Sequence, residues 1–500
     1  MHVTKDVYRA FEGMKYASNS GKILVSVALC LPYAAKHYKE NSIMSSLNVL
    51  LVTYSFPPAG GTGVLRAASL ARYLPDEGIR LDVLTTRNPS SVGVDPSLLR
   101  DISDRVNIHR TITLDLPFGI KKRLKRLITG SKPPDSQADS TTKTGKPNFL
   151  KRVLQDLLLP DPQITWLPVL TRAARRIVRQ RKIDLVLITV PPFSSVLLVE
   201  RLRKEFPCLA IVVDFRDEWL STTFDLVSFL FTRSERARSV ARNAEVSAVT
   251  NATAVVAVTE AARREIRARY PQEPDSKFHL IPNGFDATRL GPPASLPELR
   301  PDGKIVVTHI GTVYASTEPT TLVEAVQSLP PEVKSRFILR FIGHIEEPRF
   351  REALLQLGEM VELKGFLQQR EALAAMNTTD YVLLINHDPL NVGGKFYDYV
   401  GGGKPILGCL NPGGDTRRLL EEMRAGWWAG NHDVEGIRQL FIDAAARGGS
   451  LSREFQPDVK MIAQFERKVL AQRYAALLHS IAGKQREGET QAPVVEQVGA

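Results

Sequence analysis

The stretch L-N-V-L-L-V-T-Y-S-F-P-P-A-G-G-T-G-V-L-R, residues 47–66, settles the fold class. Its apolar opening, 47–53, reads as a buried strand. A loop rich in Pro and Gly follows, then the helical pattern A-A-S-L-A-R-Y-L, and 81–85 gives a second apolar strand. Strand, glycine loop, helix, strand opens a doubly wound α/β domain, whose ligand lies at the loop ends of the strands. Gly60 and Gly61 line that loop, and Arg66 stands at the helix start beside them. Arg66 is either a ligand for a phosphate or sugar group or a plain surface arginine. Gly61-x-Gly63 is not a full dinucleotide fingerprint, because Arg66 takes the last glycine position and Arg87 stands where an acidic residue would end the second strand. An NAD-type oxidoreductase is thereby disfavoured, and Arg87 leaves only an NADP variant of it.

Outward from there the same alternation continues. Strands are expected at 185–190, ending in P-P-F-S-S, at 210–213, ending in D-F-R-D-E-W, and at 254–258, before a helix at 260–270 and the turn I-P-N-G-F-D at 281–286. Arg216 and Asp217 lie on the exit of the second of these. With Asp214 they form either a structural ion pair or, through Asp217, a grip on an acceptor hydroxyl. A Pro-rich linker is expected at 291–303. A second α/β series then runs through strands at 304–310, 337–342, 360–363, 381–385 and 406–409. The first lobe is thus set at 46–290, the second at 304–458, a returning helix at 459–482 and a frayed tail at 483–500.

Within the second lobe, V-G-G-K-F-Y-D-Y-V-G-G-G-K-P-I-L, residues 392–407, carries the densest chemistry. Gly393 and Gly394 open a short helix, so its free N–H groups and dipole end are uncovered, which suits an anion such as a diphosphate. Lys395 adds a full charge, and Asp398, one turn along, can accept two hydroxyl hydrogen bonds as a ribose offers. The alternative is a helix in a glycine-rich bend with two solvated charges.

Composition bounds the rest. Five hundred residues, 43% hydrophobic and 24% charged, suit a globular chain of two or three domains. Three scattered cysteines with no C-x-x-C pair fit a reducing compartment without disulfides or structural zinc. The net charge of +12 is uneven: between Lys121 and Arg152, ten Lys/Arg stand against Asp135 and Asp139, a local +8. Residues 130–146 have the composition of disordered chain, and 149–158 the spacing of a short amphipathic helix. Arg172, Arg175, Arg176 and Arg179 share one helical face, which is either solvated or laid on an anionic membrane surface, so that 121–182 is the expected membrane-contacting segment. RNA motifs, zinc fingers and basic zippers are missing, so nucleic acid is not expected as a partner. Residues 1–45 form an extension: 23–31 has the length of a signal-peptide core, but the pattern after it is that of cytosolic enzymes, and Met44 is an alternative start. The expected location is cytoplasmic, with attachment to the cytoplasmic face of the membrane as the alternative.

The motifs quoted above, taken in order from about residue 47 to about 474, resemble glycosyltransferase family 4. The resemblance implies a GT-B fold, two Rossmann-like lobes facing across a cleft with the C-terminal helix crossing back to the first. It implies a nucleotide-sugar donor, no further cofactor, metal-independent transfer with retention, and a saccharide or lipid-linked acceptor held by the first lobe, as in surface polysaccharide assembly. On the family pattern E-x7-E, Asp398 falls on the second acid, which grips the donor ribose, and Gly393 on the glycine approaching the diphosphate. Gly60 and Gly61 match the first-lobe loop, and Asn283 the I-P-N-G turn on the acceptor side. The first acid falls on Leu390, with Asp388 the nearest carboxylate. Thr312 follows Gly311 where the family carries basic residues, so Lys395 is the candidate replacement. No D-x-D pattern is present to hold a metal, and Asp217 and Lys395 are the expected catalytic pair. Two rival readings are a non-catalytic nucleotide-sugar or glycan-binding protein and a sugar-nucleotide epimerase.

Overall fold

The computed structural model describes residues 46–89, 94–102, 104–113, 158–221, 235–291, 302–447 and 451–490. The extension 1–45, the basic stretch 121–152, the linker core 292–301 and the end of the tail lie outside the described residues.

Two parallel sheets carry the chain. In the first, β1 (Leu47–Val52), β2 (Ile79–Thr86), β3 (Asn107–Thr111), β4 (Leu185–Val190), β5 (Ala210–Phe215), β6 (Ala254–Ala257) and β7 (Phe278–Leu280) take the order 3-2-1-4-5-6-7. In the second, β8 (Ile305–Ile310), β9 (Phe337–Ile342), β10 (Val361–Gly365), β11 (Tyr381–Asn386), β12 (Ile406–Leu410) and β13 (Gly426–Gly430) take the order 10-9-8-11-12-13. Both orders reverse beside the first strand of the series, which is where a doubly wound sheet opens a crevice at its strand ends. The expected GT-B architecture is the observed one.

The helices needed below are α1 (Thr62–Tyr73), α2 (Leu167–Arg181), α3 (Glu260–Arg269), α4 (Gly394–Gly401), α5 (Asp415–Glu422) and α6 (Arg467–Thr490). Strand alternation divides the first sheet's apolar side chains between two cores. Leu50 and Val52 join Leu170, Ala174 and Ile177 of α2 on one face, while Leu47, Val49 and Leu51 meet Leu70 and Ala71 of α1 on the other. The second core also takes Leu470, Ala471, Tyr474, Leu478 and Ile481 of α6. The final helix therefore docks on the first lobe. Each large side chain it buries contributes roughly 1.5–3 kcal/mol, enough to hold the return without any ion pair. The helix also continues past Gly483, where the sequence suggested a frayed end, to Thr490.

The crossing itself is a backbone seam. Phe285 N–H donates to Phe465 O at 3.1 Å and Arg467 N–H to Phe285 O at 2.9 Å. Gly284 must lack a side chain here, because a Cβ would collide with the Phe465 carbonyl. The I-P-N-G-F-D turn is thus the place where the chain leaves the first lobe and later rejoins it.

Candidate active site

The ends of β8 and β9 form a floor without side chains. Gly311 has φ 125° and Gly343 φ 140°, and a Cβ on Gly343 would press on the Gly311 carbonyl. Only glycine tolerates both that backbone and that approach. Above this floor stands the first turn of α4. Gly393 is its N-cap, and Phe396, Tyr397, Tyr399 and Val400 bury its inner faces. Lys395 and Tyr399, four residues apart, share the face turned to β8. The Tyr399 hydroxyl accepts from Ile310 N–H at 2.7 Å and pins the helix to the end of that strand.

This register lays the Lys395 side chain over Gly311, where a Cβ would lie 3.3 Å from Cε and 3.4 Å from Nζ. Nζ sits 3.2 Å from Nε2 of His309. Burial pulls the Lys395 pKa down to about 7. His309 is fully buried, and burial, with the Lys395 charge second, holds its pKa well below the usual imidazole range.

Asp398 follows one turn along, half-buried, and burial raises its pKa to about 6 against the pull of Arg467. Its carboxylate makes no hydrogen bond or ion pair among the described residues, the nearest charges being those of Arg467, Asp286 and Arg289.

The remaining expected ligands divide sharply. Arg66 is not available to a ligand, and the surface alternative fails too. It is buried, with Nε and Nη2 forked onto both oxygens of Asp214 at 2.9 Å each. It also donates to Pro282 O at 2.7 Å, Ile281 O at 2.7 Å, Tyr474 Oη at 2.6 Å and Asn283 Oδ1 at 3.3 Å. Arg66 is the bolt that ties α1, β5, the turn after β7 and α6 together. Asn283 serves that bolt as an acceptor. Asp388 is likewise engaged: Oδ1 accepts from Leu390 N–H at 2.8 Å and Oδ2 from the Asn391 amide at 2.8 Å, shaping the loop after β11. It does not replace the missing first acid. Arg216 donates to the carbonyls of Val190 at 3.1 Å, Pro191 at 2.8 Å and Gly63, so it stitches the β4 exit to the glycine loop. The expected pairing of Asp214 with Arg216 gives way to Asp214 with Arg66.

Gly61, exposed with φ 98°, N-caps α1, and nothing lies within 4 Å above it. Gly60 beside it and Thr312 after Gly311 are half-buried, and Gly394 starts α4. Asp217 is half-buried at the β5 exit. Burial raises the pKa of the Tyr314 hydroxyl, and the charges of Asp217 and Asp388 add to that. Tyr314 of the second lobe and Asp217 of the first therefore lie within electrostatic reach of each other. Behind Asp217, Glu218 and Glu245 are both buried and both hold Arg269, at 2.7 and 2.8 Å, and Trp219 donates to Glu245 at 2.6 Å. The two lobes also touch directly: Thr259 Oγ1 donates to Leu390 O at 2.5 Å, and Ala261 N–H at the start of α3 donates to Asp415 of α5 at 2.8 Å.

Sequence reasoning missed His309, Tyr314, Tyr399 and the Arg269 network. H-I-G-T at the end of a buried strand was the one local signal for His309; the others depend on which segments meet. No group of three or more His, Cys, Asp or Glu that could hold a metal occurs among the described residues. Among them, too, no helix is long and apolar enough to cross a membrane.

Two parallel lobes, a glycine floor and a lysine at a helix start define a GT-B protein. Residues 126–289 match the family model described as Glycosyltransferase Family 4, so the chain carries a family 4 region and is an enzyme of the glycosyltransferase class. Among solved structures, it is similar to sucrose-phosphate synthase from Thermosynechococcus elongatus, at 14% identity and TM-score 0.56 over 88% of this chain and 100% of that one. It is similar to Anabaena HepE in complex with UDP and glucose, at 15% identity and TM-score 0.56 over 87% and 100%. A third is α,α-trehalose 6-phosphate synthase from Burkholderia multivorans, at 13% identity and TM-score 0.55 over 90% and 99%. At such identities the likeness speaks for the fold. A search of curated proteins gave no match.

Proposed function

We propose that the chain transfers a sugar from a nucleoside-diphosphate sugar to a hydroxyl of a saccharide or lipid-linked acceptor, with retention and without a metal, as in surface polysaccharide assembly. The observation that carries this is the placement of Lys395 over the Gly311–Gly343 floor at the start of α4. A diphosphate there meets the N–H groups of the α4 N-terminus and one ammonium, in a half-buried setting where each is worth more than in water. Asp398 is the ribose grip: it is the nearby carboxylate left without a partner among the described residues, whereas Asp388 is already used. HepE, of the same fold, is described with bound UDP and glucose, which supports this donor class.

In the reaction the bond between the anomeric carbon and the diphosphate oxygen breaks, and that oxygen keeps the electron pair beside Lys395. The acceptor oxygen bonds to the same face of the carbon, and its proton passes to the departing oxygen. Asp217, within electrostatic reach of Tyr314 of the second lobe, holds the acceptor hydroxyl by accepting its hydrogen bond. The exposed Arg172 and Arg176 of α2 face the solvent beside Arg175 and Arg179, which pair with Glu205. That basic face supports contact with an anionic membrane carrying the acceptor.

Calorimetry with UDP-glucose and related donors tests the site. Lys395→Ala is expected to weaken donor binding at least about tenfold, the worth of one charge-assisted hydrogen bond, and chelation is expected to leave turnover unchanged. Undiminished binding and transfer in that variant would overturn the assignment. Interconversion of a donor with no acceptor present would favour the epimerase.

A further inference from the structure

The strand residue behind the donor lysine has a chemistry of its own. His309 is completely buried in β8, its ring 5.5 Å from that of Phe341. Nδ1 lies 3.2 Å from the carbonyl of Leu383, on the neighbouring strand β11. A carbonyl only accepts, so with Nδ1 bonded to Leu383 the hydrogen is assigned to Nδ1 and Nε2 presents a lone pair, and the carbonyl of Thr312 is a second acceptor beside the ring. That lone pair faces Lys395 Nζ at 3.2 Å. No carboxylate from β8, from β9 or from α4 itself contributes to the surroundings of this ammonium, and burial alone weakens its charge. Lys395, half-buried, is thus held by a neutral base, with no counter-ion among the described residues.

We propose that His309 is the positioning residue of the donor site: it seats Lys395 over Gly311 as a neutral acceptor, and Lys395 completes its charge by taking up a proton when a diphosphate binds. This rests on the donor-site reading given above. An acid in place of His309 would neutralise the lysine permanently and compete with the diphosphate for it. A neutral imidazole fixes its direction and leaves the charge to be satisfied by the ligand. The incoming anion supplies the missing counter-charge and favours the ammonium. Departure of the diphosphate after transfer reverses this and releases the proton.

Calorimetric titration of the full chain with UDP, and with inorganic pyrophosphate as a base-free probe, tests this in two buffers of different ionisation enthalpy at pH 8. With a free-state lysine pKa of about 7, about nine-tenths of a proton is expected to be taken up per ligand. Lys395→Arg, whose guanidinium stays charged, is expected to bind without uptake. His309→Leu is expected to weaken binding about tenfold and move the pH midpoint of uptake downward, while His309→Gln, which keeps an acceptor oxygen, restores the affinity within about threefold of wild type. Binding without proton uptake in the wild-type chain, or unchanged affinity and uptake in His309→Leu, would overturn the inference and leave the donor site standing. Failure of both probes to bind would remove the donor site and the inference together. Should His309→Leu unfold, imidazole nitrogen shifts of the intact protein decide: His309 is expected to remain the neutral Nδ1–H tautomer from pH 5 to 9, and protonation within that range would also overturn the inference.

Discussion

Arg66 shows how little a side chain's type says about its work. Beside a glycine loop at a helix start, an arginine reads as an anion ligand, yet six acceptors inside the protein consume its donors. Asp214, fully buried, depends on it. Arg66→Ala is expected to cost about 3–5 kcal/mol, because it leaves that carboxylate buried and unpaired. Arg66→Lys recovers little of this, since an ammonium cannot span both oxygens. Chemical denaturation measures both. A drop in donor affinity without a drop in stability would return Arg66 to the binding site. The residues proposed to face a ligand, Lys395 and Asp398, differ in being under-satisfied: one has a single neutral partner and the other has none among the described residues. Residue type could nominate all these positions, but only the count of filled hydrogen bonds separates them.

At the scale of the element, the strands expected from apolar runs are there, with their ends moved by a few residues. Those not foreseen are β3, β7 and β13. The first, N-I-H-R-T, is half-exposed along an edge, and the last, G-W-W-A-G, lies on the far edge of its sheet. Edge strands bury little and so leave no apolar run to read. The junction of β8 with β9 was visible as two strands ending in glycine. Why both need glycine was not visible, because the reason is the contact of one with the other. Gly343→Ala is expected to lower the melting temperature and weaken UDP binding together, at a cost of about 1–3 kcal/mol or more for forcing a side chain to φ 140°. Thermal melts and calorimetry on the same sample check it. Loss of neither would mean that the floor adjusts freely.

Across the whole molecule, Asp398 links the donor site to the crossing between lobes, since its nearest charges, Arg467, Asp286 and Arg289, belong to the segments that leave and return. Burial raises its pKa to about 6 in the folded chain, against about 3.9 unfolded. The folded state therefore binds more protons between those values. The contribution to stability is greatest below pH 4 and is lost as pH rises through 6. Asp398→Asn is expected to raise the melting temperature at pH 8 and leave it unchanged near pH 4. The same variant is expected to lose UDP affinity about tenfold while pyrophosphate binds as before, because only the nucleoside brings a ribose. Equal loss for both ligands would mean that Asp398 acts through the helix and not on the sugar.

The order of strands, glycine loops and helices, a property of local apolar runs and turn residues, determined by itself that this chain folds as two Rossmann-like lobes with a returning helix. It also nominated α4 as the anion-binding element, since a glycine pair before a lysine is chemistry on contiguous residues. Which nominated side chains remain open to a ligand was decided only when the lobes closed. Arg66, Asn283, Arg216 and Asp388 are filled by carbonyls, carboxylates and amides, many from distant segments, and His309 reaches Lys395 across 86 positions of sequence. A hydrogen-bond donor has a fixed number of hydrogens, and whether packing has already used them is a fact of three dimensions.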